Sequence, residues 1–272
     1  MDVDAYLKRI GYTGPVNPTA ETLRGLHRAH MLSVPFENLD IACGRRIVVD
    51  ADAFVSKVVE RKRGGFCYEL NGAFAALLEA LGFRVTRLSA RVPMADGRDG
   101  PEFDHLALRV DLEEPWLADV GFGDSFIEPL RLLPGIEQAQ WHMTFRVVEG
   151  ERWRVERLMP DGSWKLQYDF TLMPRQLAEF AGMCDYHQTS PESPFTRKSV
   201  CSMAIPDGRI TVSEMKLIIT RNGVKSEQEL ASAEERRGFC GRCLGWWSKS
   251  QCNAFLTTET RRHGGETGKK GY

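Results

Sequence analysis

Arg63-Gly64-Gly65-Phe66-Cys67-Tyr68-Glu69-Leu70-Asn71-Gly72 joins a glycine pair to the first turn of a helical segment. The glycines let the backbone bend sharply and leave amide groups exposed. Leu70, Phe74, Leu77, Leu78 and Leu81 then form an apolar stripe before Gly82 closes the segment, which predicts a helix over 67–81 with Cys67 at its start. The partial positive charge of a helix N-terminus favours an ionised sulfur, so a reactive thiolate is expected at Cys67. A free cysteine is more often a small buried hydrophobe, and by itself the stretch does not separate the two readings.

Towards the N-terminus, Asn17-Pro18 suits an N-cap and first turn. Leu23, Leu26, His27 and His30 then recur at helical spacing up to the break at Pro35. Phe54, Val55, Val58 and Val59 predict a further helix over 51–62. Residues 1–83 therefore read as a helical bundle that carries the candidate nucleophile. From Arg84 the period becomes two, with strands expected at 85–92, 105–112, 116–120, 144–148, 153–158 and 164–170. Short antiparallel strands at this spacing suggest a small barrel or sandwich over 84–190, ending in a helix near 174–186. Hairpin signals at Pro206-Asp207-Gly208-Arg209 and Arg221-Asn222-Gly223-Val224 mark a third, smaller α/β region over 191–235. The fold class expected is α+β, with a cleft between the three regions as the natural place for a site.

Composition narrows the partners. The 272 residues are 42% hydrophobic, enough for a substantial core, and 36 Lys and Arg nearly balance 37 Asp and Glu. A net charge of -1 argues against a broad basic face for nucleic acid or an anionic membrane, although a local basic patch for an anionic ligand is compatible with it. No stretch approaches the roughly 20 apolar residues of a membrane span, and the opening Met1-Asp2-Val3-Asp4 is acidic where a secretory leader would be basic. Seven cysteines, an odd number without an export signal, point to reduced thiols and a cytoplasmic location. Oligomeric state is not readable.

Two partners suit a thiol. His105 opens the run His-Leu-Ala-Leu-Arg-Val-Asp-Leu, on the face opposite Leu106, Leu108, Val110 and Leu112, where it either points into a cleft or stays an ordinary surface histidine. Asp119 is a carboxylate in the apolar run Trp116-Leu117-Ala118-Asp119-Val120, and burying it demands a partner such as a histidine N–H. Leu112 paired with Trp116 across Glu113-Glu114-Pro115 would place Arg109 opposite Asp119. An odd-length loop or a bulge is therefore expected, because an even one would split His105 and Asp119 between faces. Glu37 and Arg63 sit inside motifs and read either as a partly buried ion pair supporting the catalytic loop or as surface charges.

Arg63-Gly64-Gly65-Phe66-Cys67, Val34-Pro35-Phe36-Glu37-Asn38-Leu39, Asp104-His105-Leu106 and Asp119-Val120-Gly121-Phe122-Gly123 together, in this order, resemble the arylamine N-acetyltransferases up to about residue 230. The resemblance implies a helical bundle, a β-barrel and an α/β lid, with a cysteine-protease-like core and a Cys67-His105-Asp119 triad. It implies acetyl-CoA as acetyl donor, no metal, and aromatic amines, hydrazines or N-hydroxyarylamines as acceptors. By position, Phe36 and Phe122 would line the acceptor pocket and Gly123 would lie close to the coenzyme. A papain- or transglutaminase-like cysteine hydrolase is the alternative, since a triad alone does not choose between acyl transfer and hydrolysis. Residues 236–272 depart from the pattern: Arg236-Arg237-Gly238-Phe239-Cys240-Gly241-Arg242-Cys243 leads into a polar, glycine- and lysine-rich tail. Cys240, Cys243, Cys252 and His263 superficially resemble a zinc knuckle there, but an unstructured or lineage-specific tail, or the product of a shifted reading frame, is the preferred reading.

Overall fold

In a computed structural model, which describes residues 1–242, the N-terminal third forms five helices. They are α1 (Val3–Ile10), α2 (Ala20–Ser33), α3 (Leu39–Ala42), α4 (Ala51–Val59) and α5 (Cys67–Ala80), with the short strand β1 (Phe36–Glu37) between α2 and α3. Thr19, rather than Asn17, caps α2, its side chain accepting from the Thr22 amide. Helix α5 is buried on almost every side: Cys67 to Ala75 are all buried, as are Leu77 and Leu78. The stripe expected from the sequence is thus part of a helix apolar nearly all round, which only the centre of a core accommodates.

The next strands are β2 (Arg84–Arg91), β3 (His105–Asp111), β4 (Pro115–Ala118), β5 (Leu130–Arg131), β6 (Gln138–Gln140), β7 (Met143–Val148), β8 (Trp153–Leu158) and β9 (Trp164–Phe170). They form one antiparallel sheet in the order β5-β4-β3-β2-β9-β8-β7-β6. The sheet curls until β5 meets β7, with a bridge from Pro134 to Val147, and so makes a nearly closed barrel. Leu88, Ala107, Leu117, Phe126, Phe145, Tyr168 and Phe170 fill its interior. The other face of β3, with Leu106, Leu108 and Val110, packs into the helical core beside Phe74 and Leu77. That double coverage explains why His105 through Leu108 are all buried, where alternation alone predicts one solvated face.

The β3–β4 connection is odd in length, as the pairing of faces requires, but its register differs by two residues from the expected one. Asp111 faces Pro115 and Val110 faces Trp116, leaving a loop of Leu112, Glu113 and Glu114. A shift of two keeps every side chain on its face. Asp119 falls one residue past the end of β4 rather than inside the strand.

A 3-10 turn (Leu177–Phe180), α6 (Ala181–Thr189) and α7 (Pro194–Arg197) lead to β10 (Val200–Ile205), β11 (Gly208–Ser213), β12 (Lys216–Arg221), β13 (Val224–Glu229) and α8 (Ala233–Arg242). These four strands extend β1 into an antiparallel sheet, β1-β10-β11-β12-β13. Both hairpins foreseen from the sequence close on two-residue loops, Pro206-Asp207 and Asn222-Gly223. Asn222 and Gly223 both have positive φ, 48° and 82°, as the twist-matched turn demands. A third hairpin at Glu214-Met215 lacks such a signal, and β13 occupies the stretch between Gly223 and the last helix. The cysteine and histidine cluster of the tail (Cys240, Cys243, Cys252, His263) lies outside the described side chains.

Asn38 ties this second sheet to the helices. Its Nδ2 donates to the carbonyls of Phe195 (2.9 Å) and Lys198 (2.7 Å), and its Oδ1 accepts from the Val200 amide (2.7 Å). Removing a buried side chain that satisfies three backbone groups should cost about 2–4 kcal/mol. Asn38→Ala is therefore expected to lower stability by that amount in urea unfolding, and a loss below about 0.5 kcal/mol would show that water replaces all three bonds.

Candidate active site

The start of α5 is built by close approach. Gly64 and Gly65 do not take positive φ; at Gly65 a Cβ would lie 2.6 Å from the Glu69 side chain. The glycine is thus needed for space rather than for an unusual turn. Glu69 uses that space to accept from the Phe66 amide (3.2 Å), capping the helix that Phe66 itself cannot cap. The Glu37 amide donates to the Gly65 carbonyl (2.8 Å), which lays β1 beside the loop before Cys67.

Beneath the loop lies a buried charge network. Arg63 holds Glu37 through Nε (3.1 Å) and Nη2 (2.8 Å) and reaches Asp40 (3.2 Å). Lys57 Nζ contacts Glu69 (2.7 Å) and Asp40 (2.8 Å). The Arg63–Glu37 contact expected from the motifs is therefore fully buried and is one part of a five-residue cluster. Three carboxylates meet these two buried cations and, at the rim, the half-exposed Arg45 3.7 Å from Asp40; Lys57 is the cation in contact with Glu69. Burial, with Glu37 and Asp40 adding to it and Lys57 opposing, pushes its carboxyl up to about 7.

Asp119 is fully buried. Its Oδ2 bonds His105 Nε2 at 2.8 Å, while Oδ1 accepts from Asn71 Nδ2 (2.8 Å) and the Gly121 amide (2.9 Å). Burial opposes its ionisation, but His105, Asn71 and Gly121 together hold it below the ordinary carboxylate range. His27 Nδ1 lies 2.8 Å from the Ile127 carbonyl, so that nitrogen carries the hydrogen. Nε2 is left to accept from the Asp119 amide at 3.1 Å. Burial pushes His27 down to about 4 and keeps it in this neutral form.

Asp119 thus takes Nε2 of His105 and leaves Nδ1 for another partner. His105 stacks edge-on to Phe122 (5.3 Å) and against Tyr168 (5.1 Å), which fixes the ring plane. Cys67 and His105 line one cleft of about 640 Å³ together with Phe36, Asp104, Gly121, Phe122, His187 and Phe195. Gly123 does not line it; its φ is +94°, and a Cβ added there would lie 3.5 Å from the Phe36 ring.

Burial drives the Cys67 thiol well above its ordinary value, with Asp104, Cys184 and Asp119 adding to the effect. The helix terminus alone therefore does not make the sulfur an anion. A neighbouring imidazolium would favour the thiolate, and two histidines line the cleft, His105 bonded to Asp119 and His187 beside Asp104.

Three supporting residues escaped the sequence reading. Asn71 lies four residues after Cys67 and so on the same face of α5, a spacing that could have flagged it. Gly121 was visible in its motif, but its reason was not: a Cβ there would stand 2.7 Å from Asn71 Nδ2 and 2.8 Å from Cys67 Cα. His187 carried no sequence signal and enters only through the fold.

Fold and cleft define an N-acetyltransferase: a family model of that description matches residues 19–243. The relatives are narrower. Human arylamine N-acetyltransferase 1 is 35% identical over 230 residues, covering 76% of this chain and 79% of its own. The Escherichia coli (strain K12) arylamine N-acetyltransferase is 34% identical over 227 residues, covering 82% and 80%. The Mycobacterium marinum arylamine N-acetyltransferase solved in complex with CoA superposes with a TM-score of 0.87 at 30% identity, over 94% of this chain and 98% of that one. The chain belongs to the arylamine N-acetyltransferase family, whose members are acyltransferases. The hydrolase alternative loses its support.

Two outcomes follow from the geometry. Gly121→Ala should reduce kcat/KM at least about tenfold by pushing Asn71 or the Cys67 backbone aside, with unfolding midpoints showing a folded protein. An unchanged kcat/KM would mean the loop shifts freely. Glu69 gives a pH effect whose sign is fixed: between its ordinary 4.5 and its folded value of about 7 the folded protein holds a proton that the unfolded chain releases. Its contribution to stability thus declines as pH rises through that window. Urea unfolding of the parent against Glu69→Gln should show the gap moving in favour of the glutamine by on the order of 2 kcal/mol between pH about 5 and about 8. A pH-independent gap refutes the assignment.

Proposed function

We propose that the protein transfers acetyl groups from acetyl-CoA to aromatic amines, hydrazines or N-hydroxyarylamines through an acetyl-Cys67 intermediate. The observation that carries this reading is the bond from His105 Nε2 to the buried Asp119, at the wall of the cleft that Cys67 also lines. Family membership supports the acceptor class, and the CoA complex of the Mycobacterium marinum protein supports the donor.

His105 Nδ1 takes the Cys67 proton, and Asp119 stabilises the imidazolium and fixes which nitrogen faces the sulfur. The thiolate attacks the thioester carbonyl, forming the S–C bond. The charge on oxygen is met by backbone amides at the start of α5, including that of Cys67. The C–S bond to CoA breaks and CoA leaves as a thiol with the proton from His105. Thioester exchange for thioester requires little driving force, which suits a sulfur nucleophile. The amine then attacks acetyl-Cys67, His105 accepts the amine proton, and Cys67 is released while the amide departs. Arylamines are weakly basic and enter with a free lone pair at neutral pH.

Phe36, Phe122 and Phe195 supply the apolar wall for an aromatic acceptor. Exposed Arg98, Arg197 and Lys198 line the same cleft, where cations suit the phosphates of CoA. Gly123, left-handed at φ +94°, would bring backbone close to the coenzyme. Glu37 and Arg63 hold the loop before Cys67. Residues 1–83 supply the sulfur, 84–190 the imidazole and carboxylate, and 191–235 a cover. The chemistry uses no metal, and the chain would work in the cytoplasm.

Intact-mass measurement after mixing with acetyl-CoA should show one added acetyl group on Cys67, discharged by an aromatic amine and absent in Cys67→Ala. Turnover without a cysteine-bound acetyl group would replace this mechanism with direct transfer.

A further inference from the structure

Among the buried titratable side chains lining the cleft, Cys67 and His105 are used by the chemistry; His187 is not. It lies on α6, 3% exposed, with its ring 5.1 Å from Phe195, 5.6 Å from Tyr186 and 6.1 Å from Tyr68. Its Nδ1 stands 3.2 Å from Ser193 Oγ. That hydroxyl accepts from the Phe195 amide (3.2 Å) and has one hydrogen to share between the His187 carbonyl (3.2 Å) and Nδ1, so Nδ1 can accept from it. The ring is held from behind with Nδ1 as the acceptor, the tautomer in which a neutral imidazole carries its one hydrogen on Nε2.

Nε2 lies 3.1 Å from Asp104 Oδ1 but off hydrogen-bond alignment, and it has no hydrogen-bond partner among the described residues. Asp104 also lines the cleft, and its carbonyl accepts from Tyr68 Oη (3.1 Å) and stands 4.0 Å from Cys67 Sγ. A nearby carboxylate favours a hydrogen on Nε2. The cleft thus holds a second histidine–carboxylate pair, on the Cys67 side, whose N–H is aromatic-walled, buried and misaligned with its only neighbour. A desolvated donor of this kind discriminates between ligands that can and cannot satisfy it.

We propose that His187, held by Ser193 and backed by Asp104, is a specificity-determining residue for the acceptor. Its Nε2–H donates to an oxygen substituent on the aromatic ring, so that oxygen-bearing aromatic amines are preferred to alkyl ones of the same size. The inference rests on the acetyl-transfer reading of the cleft.

The test is the kcat/KM ratio of 4-methoxyaniline to 4-ethylaniline, a pair matched in size and differing in an ether oxygen. Comparing variants by this ratio cancels the intrinsic reactivity of the two amines. His187→Leu should lower the ratio about five- to twentyfold, through KM for the methoxy compound. His187→Gln, which keeps an N–H donor at similar reach, should recover most of it, a rescue that a purely structural role would not give. Asp104→Asn, with its shape conserved, should lower the ratio in the same direction. A ratio within about twofold of the parent in His187→Leu, or a glutamine variant no better than the leucine one, overturns the proposal. Acetylation of Cys67 by acetyl-CoA reports that each variant is folded. Failure of the parent chain itself to acetylate Cys67 would remove the reading beneath the proposal, whereas normal acetylation with an unmoved ratio removes the proposal alone.

Discussion

A carboxylate with no access to water has to be ionised for this site to exist, and much of the surrounding structure satisfies that requirement. Asp119 draws donors from three directions: His105 at the start of β3, Asn71 on α5 and the Gly121 amide in its own loop. A lone carboxylate in such a place would take up a proton, and its hydrogen bonds would reverse. Three donors reverse that balance instead. The same bonds fix the imidazole orientation, because Nε2 is committed and Nδ1 is left over. His27 adds a fourth constraint by accepting from the Asp119 amide, which pins the backbone as well as the side chain.

The loop before Cys67 follows a similar logic with charges of both signs. Glu69 caps the helix of the thiol, and Lys57, Arg63, Asp40 and Glu37 surround it without access to water. Such clusters add little net stability over an apolar core, and removing one member leaves an unpaired buried charge. Their value here is positional: a rigid cluster allows one arrangement of β1, the glycine pair and the first turn of α5. The sulfur then stands where burial resists a lone anion, in the cleft that His105 also lines.

Much of this was legible in the letters. The helix over 67–80 follows from its apolar spacing, the barrel strands from period two, and the Asn222-Gly223 hairpin from two residues that tolerate positive φ. Asp119 announced itself as a charge in an apolar run, and the parity of the β3–β4 loop follows from the need to share a face with His105. What failed did so for identifiable reasons. The N-cap moved from Asn17 to Thr19, since several residues near a helix start can cap and the packing of Leu23 and Leu26 selects among them. The β3–β4 register slipped by two, because hydrophobic alternation is blind to even shifts.

The sequence by itself determined which residues form elements and which carry reactive groups, since periodicity, turn geometry and charge burial act over a few neighbours. Only the tertiary structure decided which histidines among the described residues meet the cleft. His27, which the sequence shows only as part of a helical repeat, supports Asp119 from behind, and His187, which carries no sequence signal, enters the cleft wall beside Asp104. Gly121 likewise owes its necessity to the Cys67 backbone, 54 positions earlier in the chain, rather than to its own φ. Close approach between distant segments is set by how helices and sheets pack, and no local pattern encodes it.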